Sequence, residues 1–189
     1  MRSSALRTEH VARLVLLLLA NALLGAAPGL RAIDVAKSNA QFSVAHIWVE
    51  RVTGTVPLVS GAVSLEPGAV IPQSVAAALD ATHIATGEPD RDRSLESPDF
   101  FDATKFPQWT FASTRIVPTG PATFEMDGDL TIHGVTQPER LDVIVTGDPL
   151  HPEYRATAHI DRHAFGMVRT RLDPTIGNTV DVTLDIVLK

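Results

Sequence analysis

The sequence predicts an all-β chain built as a sandwich or barrel, on three observations. Apolar and polar residues alternate with period two in segment after segment. Turn residues separate the segments at short intervals: Glu66-Pro-Gly68, Ile71-Pro72, Pro118-Thr-Gly-Pro121, Gly147-Asp-Pro149 and His151-Pro152. No strand–helix–strand rhythm is present, so nothing points to a parallel sheet.

Taken in order, the first strand sets Phe42, Val44, His46 and Trp48 against Gln41, Ser43, Ala45 and Ile47. Short strands follow on Val52, Gly54 and Val56 and on Val63 and Leu65. Val75, Ala77, Leu79, Ala81 and His83 form one face of the next strand. Asp90 to Glu96 is the one helix-friendly stretch, and it is short. Trp109 and Phe111 begin a strand that runs to about Ile116. Phe124, Met126, Gly128, Leu130 and Ile132 share a face, as do Leu141, Val143 and Val145, and Ala156, Ala158 and Ile160. The clearest strand is the last, where Val180, Val182, Leu184, Ile186 and Leu188 oppose Asp181, Thr183 and Asp185. Strict alternation means one dry side.

Many inward positions are small, among them Gly54, Ala77, Ala81, Gly128, Ala156 and Ala158. A small barrel is either filled by its own side chains or holds one ligand. Alternation alone leaves both readings open, because neighbouring Phe and Trp rings could fill the gaps.

The N-terminus reads as a secretory leader. Arg2, Arg7 and Arg13 precede an apolar run over 14–20, and small residues follow. The run is short for a bilayer span, which leaves an uncleaved anchor as the less favoured alternative. Cleavage could follow Ala27 or Ala32. The later site is preferred, giving a leader over 1–32 and one exported domain over 33–189. Removing that leader takes away four Arg and one Glu, which moves the formal charge from −6 to −9. An acidic surface repels phosphate backbones and anionic leaflets, so nucleic acid and stable membrane insertion are not expected. The chain has no Cys, which rules out thiolate chemistry and Cys-ligated metal.

Polar clusters carry little chemistry. Asp90-Arg-Asp-Arg93 with Glu96 and Asp99 reads as a solvated loop with local ion pairs. His151, His159 and His163 lack the spacing of a strand-borne metal site. His46 and His83 fall on the apolar parity and could point inward. The bland outcome for each is a buried neutral ring with one partner, and the sharper one is contact with a ligand's polar head. No nucleophile elbow, phosphate loop or dinucleotide fingerprint occurs.

Four segments resemble a known family. Ser94-Leu-Glu-Ser-Pro-Asp-Phe-Phe-Asp102, running on to Lys105-Phe-Pro-Gln-Trp-Thr-Phe111, is similar to the central signature of the YceI family of lipocalin-like proteins. Gly128-Asp-Leu-Thr-Ile-His-Gly-Val-Thr-Gln-Pro138 resembles its second signature, while Phe42-Ser-Val-Ala-His46 and Asp161-Arg-His-Ala-Phe-Gly166 resemble its first and late motifs. Ala45 and Ser94 depart from the pattern, standing where a basic residue and a His are common.

The resemblance implies an eight-stranded antiparallel lipocalin-like barrel with one short helix. It also implies binding of a polyisoprenoid or isoprenoid quinone in the bacterial periplasm, as cargo rather than cofactor, without catalysis. The expected lumen wall is Phe42, Val44, His46, Trp48, Leu79, His83, Trp109, Phe111, Phe124, Met126, Val143, Ala158 and Leu184. Phe100 and Phe101 could dock into the barrel or cap it, with plain structural packing the favoured role, and His133 is expected to organise a tight turn at Gly134. The expected partner is a small lipid, and a homodimer is left open. The rivals are an enzyme on a lipid-like substrate, with His46 or His83 as base, and a solid barrel acting through its surface.

Overall fold

The computed structural model describes residues 29–46, 50–167 and 173–189. They form ten antiparallel strands: β1 (Gly29–Ala32), β2 (Asn39–His46), β3 (Glu50–Thr55), β4 (Leu58–Leu65), β5 (Ser74–Asp80), β6 (Gln108–Gly120), β7 (Thr123–Ile132), β8 (Val135–Val145), β9 (Glu153–Asp161) and β10 (Ile176–Val187). One helix, α1 (Pro89–Glu96), lies between β5 and β6. The strands make a single sheet in the order β1-β4-β5-β6-β7-β8-β9-β10-β2-β3. The sheet curls into a half-barrel rather than the expected eight-stranded closed one. Every alternating segment of the sequence forms a strand. These nine segments already exceed the eight implied by the resemblance, and the tenth strand is β1, which lies inside the stretch read as leader.

Curling brings the start of the chain to its end. Ile33 bridges Leu188. Lys189 N donates to Ala32 O at 2.9 Å, and Asp34 N to Val187 O at 2.8 Å. The Arg31 guanidinium adds a bond to Lys189 O at 2.9 Å.

Alternation decides which face turns in. On β9, residues at Tyr154, Ala156, Ala158 and Ile160 are buried while their neighbours are exposed. β7 repeats this, with Phe124, Met126, Gly128, Leu130 and Ile132 all buried. On β10 the inward residues remain only half-buried. They face a space that the protein does not fill.

Two inward glycines are filled from within. A Cβ on Gly54 would lie 2.5 Å from Phe42 Cζ, and one on Gly128 2.2 Å from Phe111 Cζ. Each ring sits over its glycine, so rings fill these two gaps while a cavity remains elsewhere.

β8 is less tied to its neighbour at one end. Its ladder with β7 runs the full length, from Thr123↔Ile144 to Ile132↔Val135. With β9 it pairs only from Asp142↔Thr157 to Val145↔Tyr154. Pro138 has no N–H to donate and sits in the part that β9 leaves alone, as a strand proline must. The β7–β8 turn is His133-Gly134, with φ of 54° and 73°. Two positive φ values match the twist of a tight hairpin, and His tolerates the first better than most residues. Phe106 packs edge-on to the His133 ring with centroids 5.2 Å apart.

Helix α1 begins on Pro89 with Asp90 and Asp92 in its first turn, which suits the exposed N–H groups there. It is tied down by Thr86, whose backbone N donates to Asp92 Oδ1 at 2.8 Å. Arg91 Nε donates to Thr86 Oγ1, also at 2.8 Å.

Gly128→Val places methyl groups where the Phe111 ring lies. The ring must leave its rotamer, and the expected loss is about 1–3 kcal/mol of unfolding free energy. A urea midpoint equal to wild type would show that the wall yields freely there.

Candidate functional site

Inside the curled sheet lies a cavity of about 620 Å³. That is within the range of small-molecule sites. Its wall is apolar on almost every side. Of the expected lining residues, Phe42, Val44, His46 and Leu79 reach it from β2 and β5. Trp109, Phe111, Phe124 and Met126 reach it from β6 and β7. Val143, Ala158 and Leu184 complete the set from β8, β9 and β10. Trp48 lies outside the described residues.

His83 does not line the cavity. β5 ends at Asp80, and the chain enters a 3-10 turn over Ala81–His83, so parity no longer applies. The side chain of His83 is 72% exposed, with Nδ1 held 2.7 Å from Asp80 Oδ2. The Asp80 carboxyl sits below its ordinary range, chiefly through the Thr82 hydroxyl. Neither residue faces the interior, which removes His83 as an interior base.

The two ends of the cavity differ. Toward the far end stands Tyr154, whose hydroxyl donates to Val70 O at 3.0 Å. Its ring meets Phe124 in a T-shape at 6.2 Å. The near end lies under α1, and there the polar residues gather: His46 at the end of β2, Asp90, Arg91 and Ser94 on α1, and Arg162 just after β9. Phe100 and Phe101 also border this end. Phe101 stacks on Trp109 with centroids 4.6 Å apart, and no protein acceptor reaches Trp109 Nε1.

Arg162 is 4% exposed. Burying a guanidinium is costly unless its hydrogens are met. Here Nε donates to Gly177 O at 3.0 Å and Nη2 to Ile176 O at 3.1 Å. Nη1 donates to Met167 O. The arginine thereby ties the residues after β9 to the start of β10.

Sequence reasoning missed Tyr154, Glu139 and Arg162. Parity held a signal for the first two: Tyr154 shares the side of Ala156, and Glu139 that of Leu141. Arg162 stands in a 3-10 turn, where parity gives no signal. Among the described residues, no cluster of His, Asp and Glu could hold a metal ion. None of the described helices is long and apolar enough to cross a membrane.

A curled antiparallel sheet around an apolar cavity, polar at one end, defines a hollow β-protein with an amphipathic interior. The chain belongs to the YceI-like domain family, whose profile matches residues 32–188. It is 30% identical over 165 residues to a UPF0312 protein of Pseudomonas savastanoi, covering 82% of this chain and 86% of that one. It is 33% identical over 112 residues to a UPF0312 protein of Vibrio parahaemolyticus, a match that spans 59% of each chain. The fold matches the crystal structure of Burkholderia cenocepacia BcnA with a TM-score of 0.76 at 22% identity, over 83% of this chain and 99% of that one. It also matches a polyisoprenoid binding domain from Saccharophagus degradans with a TM-score of 0.62 at 14% identity, over 84% and 97% of the two chains.

Tyr154 is the chain's one tyrosine. Burial pushes its phenol up from 10.0 to about 12. The folded state therefore holds the proton that an unfolded chain releases near 10. The stability tied to the neutral ring is complete below pH 10 and is lost as pH rises toward about 12. Tyrosinate absorbance should thus appear late in the folded protein, and Tyr154→Phe should blunt alkaline unfolding between those values. Ionisation near 10 without unfolding would show that the phenol is not held as described.

Proposed function

We propose that the protein binds a long isoprenoid chain in its lumen, as a non-catalytic carrier or store of a polyprenyl lipid or isoprenoid quinone. The observation that carries this is the cavity, apolar along its length and polar at one end. An apolar chain entering it leaves water, at roughly 25 cal/mol for each Å² buried. Ordering a flexible chain offsets much of that gain, so affinity depends on fit. The family membership supports the reading, as does the description of the Saccharophagus neighbour as a polyisoprenoid binding domain. An enzymatic reading has less support, because His83 faces solvent and His46 has no described acid–base partner.

Native mass spectrometry of protein purified from cells tests this directly. A bound prenyl chain is the expected added mass. Ala158→Phe, which projects a ring from β9 into the lumen, should lower prenyl affinity by about tenfold while the far-UV spectrum stays the same. Unchanged affinity, with no cargo in wild type, would overturn the carrier.

We further propose that the chain is exported and that processing leaves β1 in place. β1 pairs Gly29 to Ala32 with Leu65 to Ala62, and Arg31 holds the C-terminal carbonyl. A cut after Ala32 would discard this strand, whereas a cut after Ala27 would keep it. Intact mass of the periplasmic form should therefore include residues 29–32, and a mature chain starting at Ile33 would refute this.

A further inference from the structure

The wall of the lumen is unevenly laced. β8 holds β7 along its whole length, yet its ladder with β9 stops at Asp142↔Thr157. Continued in the same register, that ladder would set Leu141 against Ala158, Arg140 against His159, Glu139 against Ile160 and Pro138 against Asp161. None of these pairs forms. β9 has not ended there, because it stays paired with β10 as far as Asp161. The gap therefore runs between two strands that are each fully backed on the other side.

Side chains on both flanks turn away from this gap. On the outer face Arg140 meets Asp127 of β7 at 2.7 Å and Glu125 of β7 at 3.2 Å. His159 meets Asp181 of β10 at 2.7 Å. Pro138 has no N–H to offer across the gap. Inside, Glu139 is only half-buried, where Leu141 and Val143 on the same strand are buried. Partial burial, with the Asp161 charge nearby, holds the Glu139 carboxyl above the ordinary carboxylate range. Two acids at one gap repel each other when both are ionised. The 3-10 turn over Arg162–Phe165 reaches β8 past the gap, where Gln137 Nε2 donates to Ala164 O at 3.0 Å. Residues that line the cavity stand on both flanks, Glu139 and Leu141 on β8 and Ala158 and Ile160 on β9. Parting these strands would open the cavity along its side.

We propose that the gap between β8 and β9 is a lateral gate, through which an apolar chain enters and leaves the lumen sideways. This rests on the carrier reading and adds a route to it. β8, backed by β7, bends outward as one leaf, since their ladder is complete. Behind this leaf the β6–β7 ladder shifts register between Ser113 and Arg115, a place where a sheet bends. Opening breaks the bond from Gln137 to Ala164 and leaves the β7–β8 and β9–β10 ladders whole. An end-on route under α1 breaks more. There Thr86 must release Asp92 and Arg91, and Phe101 must leave Trp109.

The chain has no Cys, so a disulfide staple can be placed across the gap without competing thiols. Arg140→Cys with His159→Cys sets two outward thiols on the first outward pair beyond the ladder. All-trans-retinol, a fluorescent isoprenoid alcohol, serves as the probe. Its transfer from the protein to phosphatidylcholine vesicles that carry an energy-acceptor lipid is followed by stopped flow. Oxidising the staple, or joining the thiols with a two-carbon bismethanethiosulfonate, should slow transfer by at least about tenfold, because a shut gate must open before the chain leaves. Dithiothreitol should restore the rate. Glu125→Cys with Asp142→Cys staples the intact β7–β8 ladder instead, and should keep the rate within about twofold of wild type. An unchanged rate in the stapled gap would put the route at the α1 end and overturn the gate, with the carrier still standing. Equal slowing by both staples would overturn it too, since a stiffer sheet would then be enough. If wild type takes up no retinol, the carrier reading itself fails, and the gate with it.

Discussion

The lumen depends on the ladder that runs through β10. This strand pairs with β9 from Thr179↔Asp161 to Val187↔Glu153, and on its other side with β2 from Ile176↔His46 to Asp185↔Asn39. A slip of one residue in either ladder would turn Val180, Val182, Leu184 and Ile186 outward and bring Asp181, Thr183 and Asp185 into the apolar interior. Paired charges on the outer face guard the register. Arg155 meets Asp185 at 2.7 Å, His159 meets Asp181 at 2.7 Å, and Arg51 also reaches Asp181. Exposed pairs of this kind contribute little energy each, but they can be made in one register only.

An interior can be apolar and still be filled, and what separates the two cases here is where the bulk lies. Large rings face inward on β6 and β7, yet Phe111 lies along Gly128 and Phe42 along Gly54. The wall is thin at Ala156 and Ala158 on β9 and at Ala77 on β5. The space lies over these short side chains, while the rings cover their glycines.

Alternation made most of this readable in advance. Wherever a strand ran unbroken, parity placed the inward residue correctly, as at Phe124, Met126, Val143 and Leu184. It failed where a strand stopped early, as at His83, because one 3-10 turn ends the period-two rule. It also had no means of finding Arg162, whose role depends on carbonyls from residues distant in sequence. β1 was hidden for a different reason. Four residues of weak pattern, following an apolar run in the sequence, become a strand only when β4 supplies the partner. The alternating segments already numbered nine, so the strand total missed only β1, and the figure of eight came from the family resemblance.

The partial ladder between β8 and β9 has a bearing on how the protein behaves among its own copies. A strand flank without a partner offers N–H and carbonyl groups to any passing chain, which is the usual route to aggregation. Here that flank carries Pro138, then Glu139 and Arg140, and Gln137 Nε2 is occupied with Ala164 O at 3.0 Å. A missing donor, two charges and a bound amide make poor company for a foreign strand. The seam can therefore stay unzipped without becoming adhesive.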